Sequence, residues 1–276
     1  MPLAKTRSDV LRRNNVRLSG NPAGRPLMFA HGFGCNQEMW RYVAPAFEAE
    51  YRVVLFDAVG AGGSDRSAYD RGKYDSLHGY ADDVLEIVDT LGLDDVVFVG
   101  HSVSAMVGVL AANRASSPIG ALVLVGPSPR YLNDDGYLGG FDRPDIDALL
   151  DALDANHLDW SAQLAPVIMG NPERPELGAE LTASFCSTDP AVARHFARVT
   201  FLSDNRRDLA EVRIPTLILQ CTDDAIAPRP VGEYVHSQIA SSRLVVLNAT
   251  GHCPNLSHPE LLIPQLRTFL TDDAPS

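Results

Sequence analysis

Short apolar runs rich in β-branched residues punctuate the first half of the chain: PLMFA at 26–30, YRVVLFD at 51–57, DVVFVG at 95–100 and ALVLVG at 121–126. Runs this short and continuous predict strands buried on both faces of a parallel sheet. Between them the period changes. Tyr80, Val84, Ile87, Val88 and Leu91 recur at helical spacing, and Gly92 follows, a residue suited to the left-handed conformation that closes a helix. Strands joined by helices predict an α/β sheet covered on both faces, because parallel neighbours need long crossover connections. Ligands of such sheets gather at the carboxyl ends of the strands.

The alternation breaks after GPSPRYLNDD. From Tyr131 to about Asp208 there are helical runs such as DIDALLDALDANHLDW and ELTASFCSTDPAVARHFARVTF and no strand pattern, which predicts a helical lid inserted into the sheet. Strands return at RIPTLILQ (213–220) and SRLVVLN (242–248), a last helix follows over PELLIPQLRTFL (259–270), and TDDAPS reads as a frayed tail. The predicted organisation is a core built from 1–130 and 209–276, with a lid over 131–208.

Composition narrows the function classes. The chain has 276 residues, 45% of them hydrophobic, which is ordinary for a globular protein able to bury a large core. Its formal net charge of −12 opposes nucleic-acid phosphates and anionic membrane surfaces, so neither is expected as a partner. The start MPLAKTRSDVLRRNN lacks the apolar run of a signal peptide, and no apolar stretch is long enough to span a bilayer, so a cytoplasmic location is expected. Cys35, Cys186, Cys221 and Cys253 are scattered without a C-x-x-C pair or a metal-ligand spacing; free thiols and no metal are expected.

The chemistry concentrates at strand ends. FVGHSVSAM (98–106) nearly matches the G-x-S-x-G turn of serine hydrolases, with Ser104 where the second glycine is expected. Ser102 stands between the strand VVFVG and the small-residue run VSAMVGVLAANR, the strand-turn-helix setting that thrusts a nucleophile out at the sheet edge. A serine there also suits a plain helix cap. A serine nucleophile needs a base, and of eight histidines His252 stands out because NATGHCPN directly follows the last strand. His78, His195 and His236 fall in helical patterns, His157 lies in the lid, and His258 opens the final helix. The orienting carboxylate is Asp223 or Asp224 in LILQCTDDAIAP, again after a strand. FAHGFGCN (29–36) puts glycines after another strand, where the backbone turns its amides toward the nucleophile; the expected oxyanion donors are the N–H groups of Phe33 and Val103.

HGFG, LFDAVGAGGSD, GHSVSAM, GPSPRYLND with GGF, FCSTDP, FLSDNRRDL, LQCTDD followed by AP, and GHCPNLSHP together resemble α/β-hydrolases of the bacterial RsbQ type, and are similar to the plant strigolactone and karrikin receptors. The resemblance covers nearly the whole chain. It implies an α/β-hydrolase fold, a mostly parallel sheet flanked by helices with a four-helix lid, and a triad of Ser102, Asp224 and His252 working without a cofactor. It further implies a closed apolar cavity with Phe33, Tyr131, Phe141, Leu164, Phe185 and Phe201 in its lining, Leu164 standing where the plant receptors have an aromatic. Asp57 is expected to brace the loop under the oxyanion turn. The activity implied is hydrolysis of a small hydrophobic ester or lactone. An alternative is a ligand sensor that binds a PAS-domain phosphatase or another regulatory protein in a stress response.

Overall fold

The computed structural model describes residues 7–272, so residues 1–6 and the last part of the expected tail, 273–276, lie outside the described residues. Seven strands form one sheet: β1 (Arg17–Gly20), β2 (Pro26–Ala30), β3 (Arg52–Leu55), β4 (Val96–His101), β5 (Ile119–Val125), β6 (Thr216–Asp223) and β7 (Ser242–Thr250). Their spatial order is β1-β3-β2-β4-β5-β6-β7. Only β1 runs antiparallel to its neighbour; the other pairings are parallel. The hydrophobic pattern does not predict β1, since RLSG is short, mostly exposed and at the sheet edge, where pairing needs no apolar side chains.

The period of two along each central strand builds two cores. In β2, Leu27 and Phe29 join one buried cluster while Met28 and Ala30 join the other; in β4, Val97 and Val99 oppose Val96 and Phe98. The second cluster is covered by α1 (Arg7–Arg13), α2 (Leu77–Leu91) and α3 (Val103–Ala112). Helix α2 ends as its sequence predicts: Gly92 is left-handed at φ 61°, and its N–H caps the carbonyls of Val88 and Asp89. Phe98 is fully buried beneath α3, so its loss to alanine would cost about 3–5 kcal/mol.

Four helices follow β5: α4 (Arg143–Ala155), α5 (His157–Met169), α6 (Pro175–Ser187) and α7 (Pro190–Phe201). Helix α4 packs on α5 and α7, and α5 on α6. Pro175 and Pro190 open α6 and α7 at a first-turn position, where their missing N–H would have had no partner anyway. The chain then returns through α8 (Arg206–Leu209), α9 (Arg229–Gln238), α10 (Pro254–Ser257) and α11 (Pro259–Asp272). Helix α8 straddles the expected boundary at 208, yet it packs on α3 and α9, and Leu209 is fully buried in the core. Among the described residues, no helix is long and apolar enough to cross a membrane.

Strand order creates the site. From β2 the chain moves outward to β3, then returns on the other side of β2 with β4, so the loops leaving β2 and β4 diverge above a shared crevice. The register pairs Ala30 with Gly100, which brings HGFG and GHSVS side by side.

Candidate active site

Ser102 occupies a backbone conformation that only a sharp turn demands, with φ 56° and ψ −123°. Its side chain makes no capping hydrogen bond to the helix it precedes, so the cap reading fails. The turn is held on both sides. The Ser102 N–H donates to the Val125 carbonyl at 2.8 Å, and a Cβ at position 100 would stand 2.4 Å from the Ser104 carbonyl oxygen, which only glycine avoids. Strain of this kind persists where surrounding structure over-determines it, and it is the geometry that exposes a nucleophile.

The Ser102 hydroxyl donates to His252 Nε2 at 2.7 Å, and His252 Nδ1–H donates to Asp224 Oδ2 at 2.7 Å. An ionised carboxylate only accepts, which assigns the proton to Nδ1 and leaves Nε2 free to take the serine proton. Asp224 Oδ1 accepts the N–H groups of Ile226 and Ala227 at 2.8 and 3.0 Å. Burial alone would raise this carboxyl; the attraction of His252, their hydrogen bond and the two backbone donors outweigh it and hold Asp224 below the usual carboxylate range. Asp223 is exposed, while Asp224 is 6% exposed, so the neighbouring aspartates divide into a solvated residue and an orienting one. The His252 backbone N–H also donates to the Ile168 carbonyl at 2.8 Å, which seats the candidate base directly on α5.

The two expected oxyanion donors stand at the ends of neighbouring elements. Val103 is the first residue of α3, so its N–H has no partner within the helix, and Phe33 follows the glycine turn after β2. Gly32 lies against the elbow: a Cβ there would be 2.5 Å from His101 Nδ1 and 3.3 Å from Ser102 Cβ. Asp57 braces this loop as its position suggests, accepting the Gln37 N–H at 2.8 Å, the Gly63 N–H at 2.8 Å and Asn15 Nδ2 at 2.7 Å.

Ser102 and His252 open onto a cavity whose lining includes Phe33, Tyr131, Phe185 and Phe201. Burial pushes the Tyr131 phenol up to about 12, with the adjacent Ser102 hydroxyl opposing the shift. A second cavity lies beyond Phe33 and Phe185, which line both. Phe33 stacks on Phe196 at 5.5 Å and meets Phe185 edge-on at 5.7 Å, so rings rather than backbone separate the two spaces. Of the six expected lining residues, Phe141 and Leu164 are the two that border neither space. Phe141 is fixed through its backbone, its N–H bonded to the Tyr131 carbonyl and its carbonyl to the Asn133 N–H, and its side chain packs against the cluster that holds Tyr131 and Phe201. Leu164 is half-buried on α5, one turn from both Trp160 and Ile168, and packs against the same apolar cluster as they do; Trp160 and Ile168 are the ones that line the cavities. Ile168, Leu181 and Thr200 of the lid and Ile226 of the loop after β6 also line the cavity at Ser102; helical spacing of apolar residues was the only signal for Ile168 and Leu181.

His101 is the polar residue that the sequence pattern passes over. Buried beside Ser102, it donates from Nε2 to the His252 carbonyl at 2.7 Å. Burial pushes its imidazole down to about 3, and burial also lowers His31. Both rings are therefore neutral at pH 7. Burial likewise pushes the Cys35 and Cys221 thiols up to about 12 and raises Cys253 well above the usual thiol range, so these free cysteines are not thiolate nucleophiles.

Serine, histidine and aspartate at the ends of β4, β7 and β6 agree with what the chain resembles. The sequence profile of the alpha/beta hydrolase family matches residues 27–265. The chain belongs to this family. It is 38% identical to Strigolactone esterase D14 of Arabidopsis thaliana, over 95% of this chain and 98% of that one. It is 35% identical to Karrikin insensitive 2 receptor IA of Petunia hybrida, over 91% and 92%. Among solved structures it superposes on a hydrolase from Oleispira antarctica with a TM-score of 0.94, at 39% identity over 98% of this chain and 99% of that one. As a member of the alpha/beta hydrolase family with esterase relatives, the protein is a hydrolase of the esterase type.

Proposed function

We propose that the protein cleaves a small hydrophobic ester or lactone through Ser102, His252 and Asp224. The observation that carries this reading is the unbroken relay from Ser102 Oγ through both nitrogens of His252 to Asp224, each link 2.7 Å. His252 Nε2 takes the hydroxyl proton as Ser102 Oγ bonds to the carbonyl carbon, and the N–H groups of Phe33 and Val103 receive the charge that develops on the carbonyl oxygen. His252 returns the proton to the departing alkoxide. Water then repeats the sequence on the acyl-serine, releasing the acid, with no cofactor required. The apolar lining favours neutral, apolar acyl and alcohol parts.

A serine-directed phosphonate should label the native protein and leave Ser102→Ala unlabelled. Equal labelling of both would overturn the assignment.

A second reading makes the same site a sensor, in which the ligand is held or slowly cleaved and the lid signals to a PAS-domain phosphatase as in the RsbQ type. It is favoured by the relative named a receptor and by a cavity closed over by aromatic rings. Slow ester turnover together with retention of a purified PAS-domain phosphatase on the ligand-treated protein supports it. Rapid turnover of many simple esters with no retention rejects it.

A further inference from the structure

Ser104 stands where the common nucleophile turn carries its second glycine, and its hydroxyl has a definite partner. It donates to the His31 carbonyl oxygen at 2.5 Å, with both residues buried. Among the described residues, no backbone N–H donates to that carbonyl. His31 lies two residues before Phe33, and Ser104 lies one residue after Val103. The bond therefore joins the two strands of backbone that carry the candidate oxyanion donors, by a very short path.

We propose that Ser104 is a positioning residue for the oxyanion hole, its hydroxyl setting the distance between the Phe33 and Val103 N–H groups. This rests on the hydrolase reading above. The loop's other ties run elsewhere: His31 Nδ1–H donates to the Gly32 carbonyl at 2.9 Å, the Ala58 N–H donates to His31 Nε2 at 3.0 Å, and the Gly32 N–H reaches only the Met39 sulfur, at 3.4 Å. These hold the loop to itself, to the loop after β3 and to the turn after HGFG. The Ser104 hydroxyl holds it to α3. With glycine or alanine at 104, the His31 carbonyl would lose its donor in a dry place, and the loop would shift to find another. Oxyanion donors act only within about 2.7–3.1 Å of the developing charge, so a small drift of one against the other weakens both.

The test compares Ser104→Ala, Ser104→Gly and Ser104→Thr with the native protein, using p-nitrophenyl acetate turnover, the rate of phosphonate labelling and amide hydrogen exchange at residues 31–34. Loss of the hydroxyl should lower kcat and the labelling rate by about tenfold to hundredfold, with KM within about twofold. Exchange at 31–34 should quicken, and threonine should restore all three. Native kcat and exchange in Ser104→Ala would overturn the proposal. So would equal losses in the alanine and threonine variants with KM rising in step. If the native protein turned over no ester and resisted the phosphonate, the hydrolase reading would fail by itself. The exchange measurement would then decide the tie: faster exchange in Ser104→Ala upholds it, and unchanged exchange rejects it.

Discussion

At the scale of single residues, the site depends on which member of a local pair is buried. Asp223 and Asp224 are chemically identical and adjacent, and the carboxylate that reaches His252 is the one whose second oxygen is already held by two backbone N–H groups. Asp224→Asn should lower kcat by about 10⁴-fold, as expected when the base is left in the wrong tautomer, while Asp223→Asn stays near native. Comparable losses in the two variants would contradict the geometry. The neutral histidines predict a pH dependence of stability. Unfolded, His101 titrates near 6.5; folded, burial brings it down to about 3. Below about pH 6.5 the unfolded chain binds a proton that the folded one excludes. Stability is therefore full above that pH and declines toward acid, by up to about 1.4 kcal/mol per pH unit for this group. His31 acts in the same direction. Asp224 adds stability that is present above its unfolded value near 3.9 and is lost as pH falls through its lower folded value. Melting temperature should fall between pH 7 and 5, and less steeply in His101→Gln, whose amide N–H can still donate. A flat profile in the native protein would show that His101 is not held neutral.

At the scale of elements, strands β2 to β7 and helices α2 and α11 are legible in the sequence because a parallel sheet covered on both faces demands continuous apolar runs and its helices an apolar stripe. β1 is not, because an edge strand of exposed residues carries no such run. The elbow between β4 and α3 is legible as a motif, but its tolerance is a matter of packing. A methyl group at position 100 would stand 2.4 Å from the Ser104 oxygen and 2.8 Å from the Ala105 nitrogen, both backbone atoms. Gly100→Ala should cost about 1–3 kcal/mol in chemical denaturation and slow phosphonate labelling, because the turn must open to accept it. Native stability together with native labelling would mean the elbow is softer than its contacts show. The lid was harder to read. Phe141 and Leu164 have the apolar character of lining residues and pack against the same cluster as Tyr131, Phe185 and Phe201, but which members of that cluster border the open space is set by tertiary packing and not by the sequence pattern.

At the scale of the whole molecule, the lid and the sheet meet through the base itself. The His252 N–H is bonded to Ile168 of α5, and the cavity at Ser102 is walled by α5, α6 and α7 from above and by strand-end residues from below. A hydrophobic lactone screened against Ser102→Ala should raise its melting temperature by mass action, about 2.7 kcal/mol of stabilisation at 100 times Kd. No shift with any of a broad set of apolar esters and lactones would mean the lid does not admit such ligands. Some acidic residues of the lid surface are met by arginines, Asp154 by Arg198 and both Asp134 and Asp204 by Arg206, which lessens the negative face that the net charge suggests.

The sequence by itself determined the α/β class, the order Ser, Asp, His at successive strand ends and the glycine turns beside them. Each of these is local, set by a few neighbouring residues. Only the tertiary structure decided that Asp224 rather than Asp223 is dry, that His101 holds the backbone of the base, and that Ser104 bonds to the oxyanion loop. Those contacts join residues 73 to 151 positions apart or depend on what covers them. They follow from strand order and burial, which no local pattern of side chains encodes. FVGHSVSAM marks a candidate nucleophile; the partner of its Ser104 hydroxyl is visible only once His31 stands beside it.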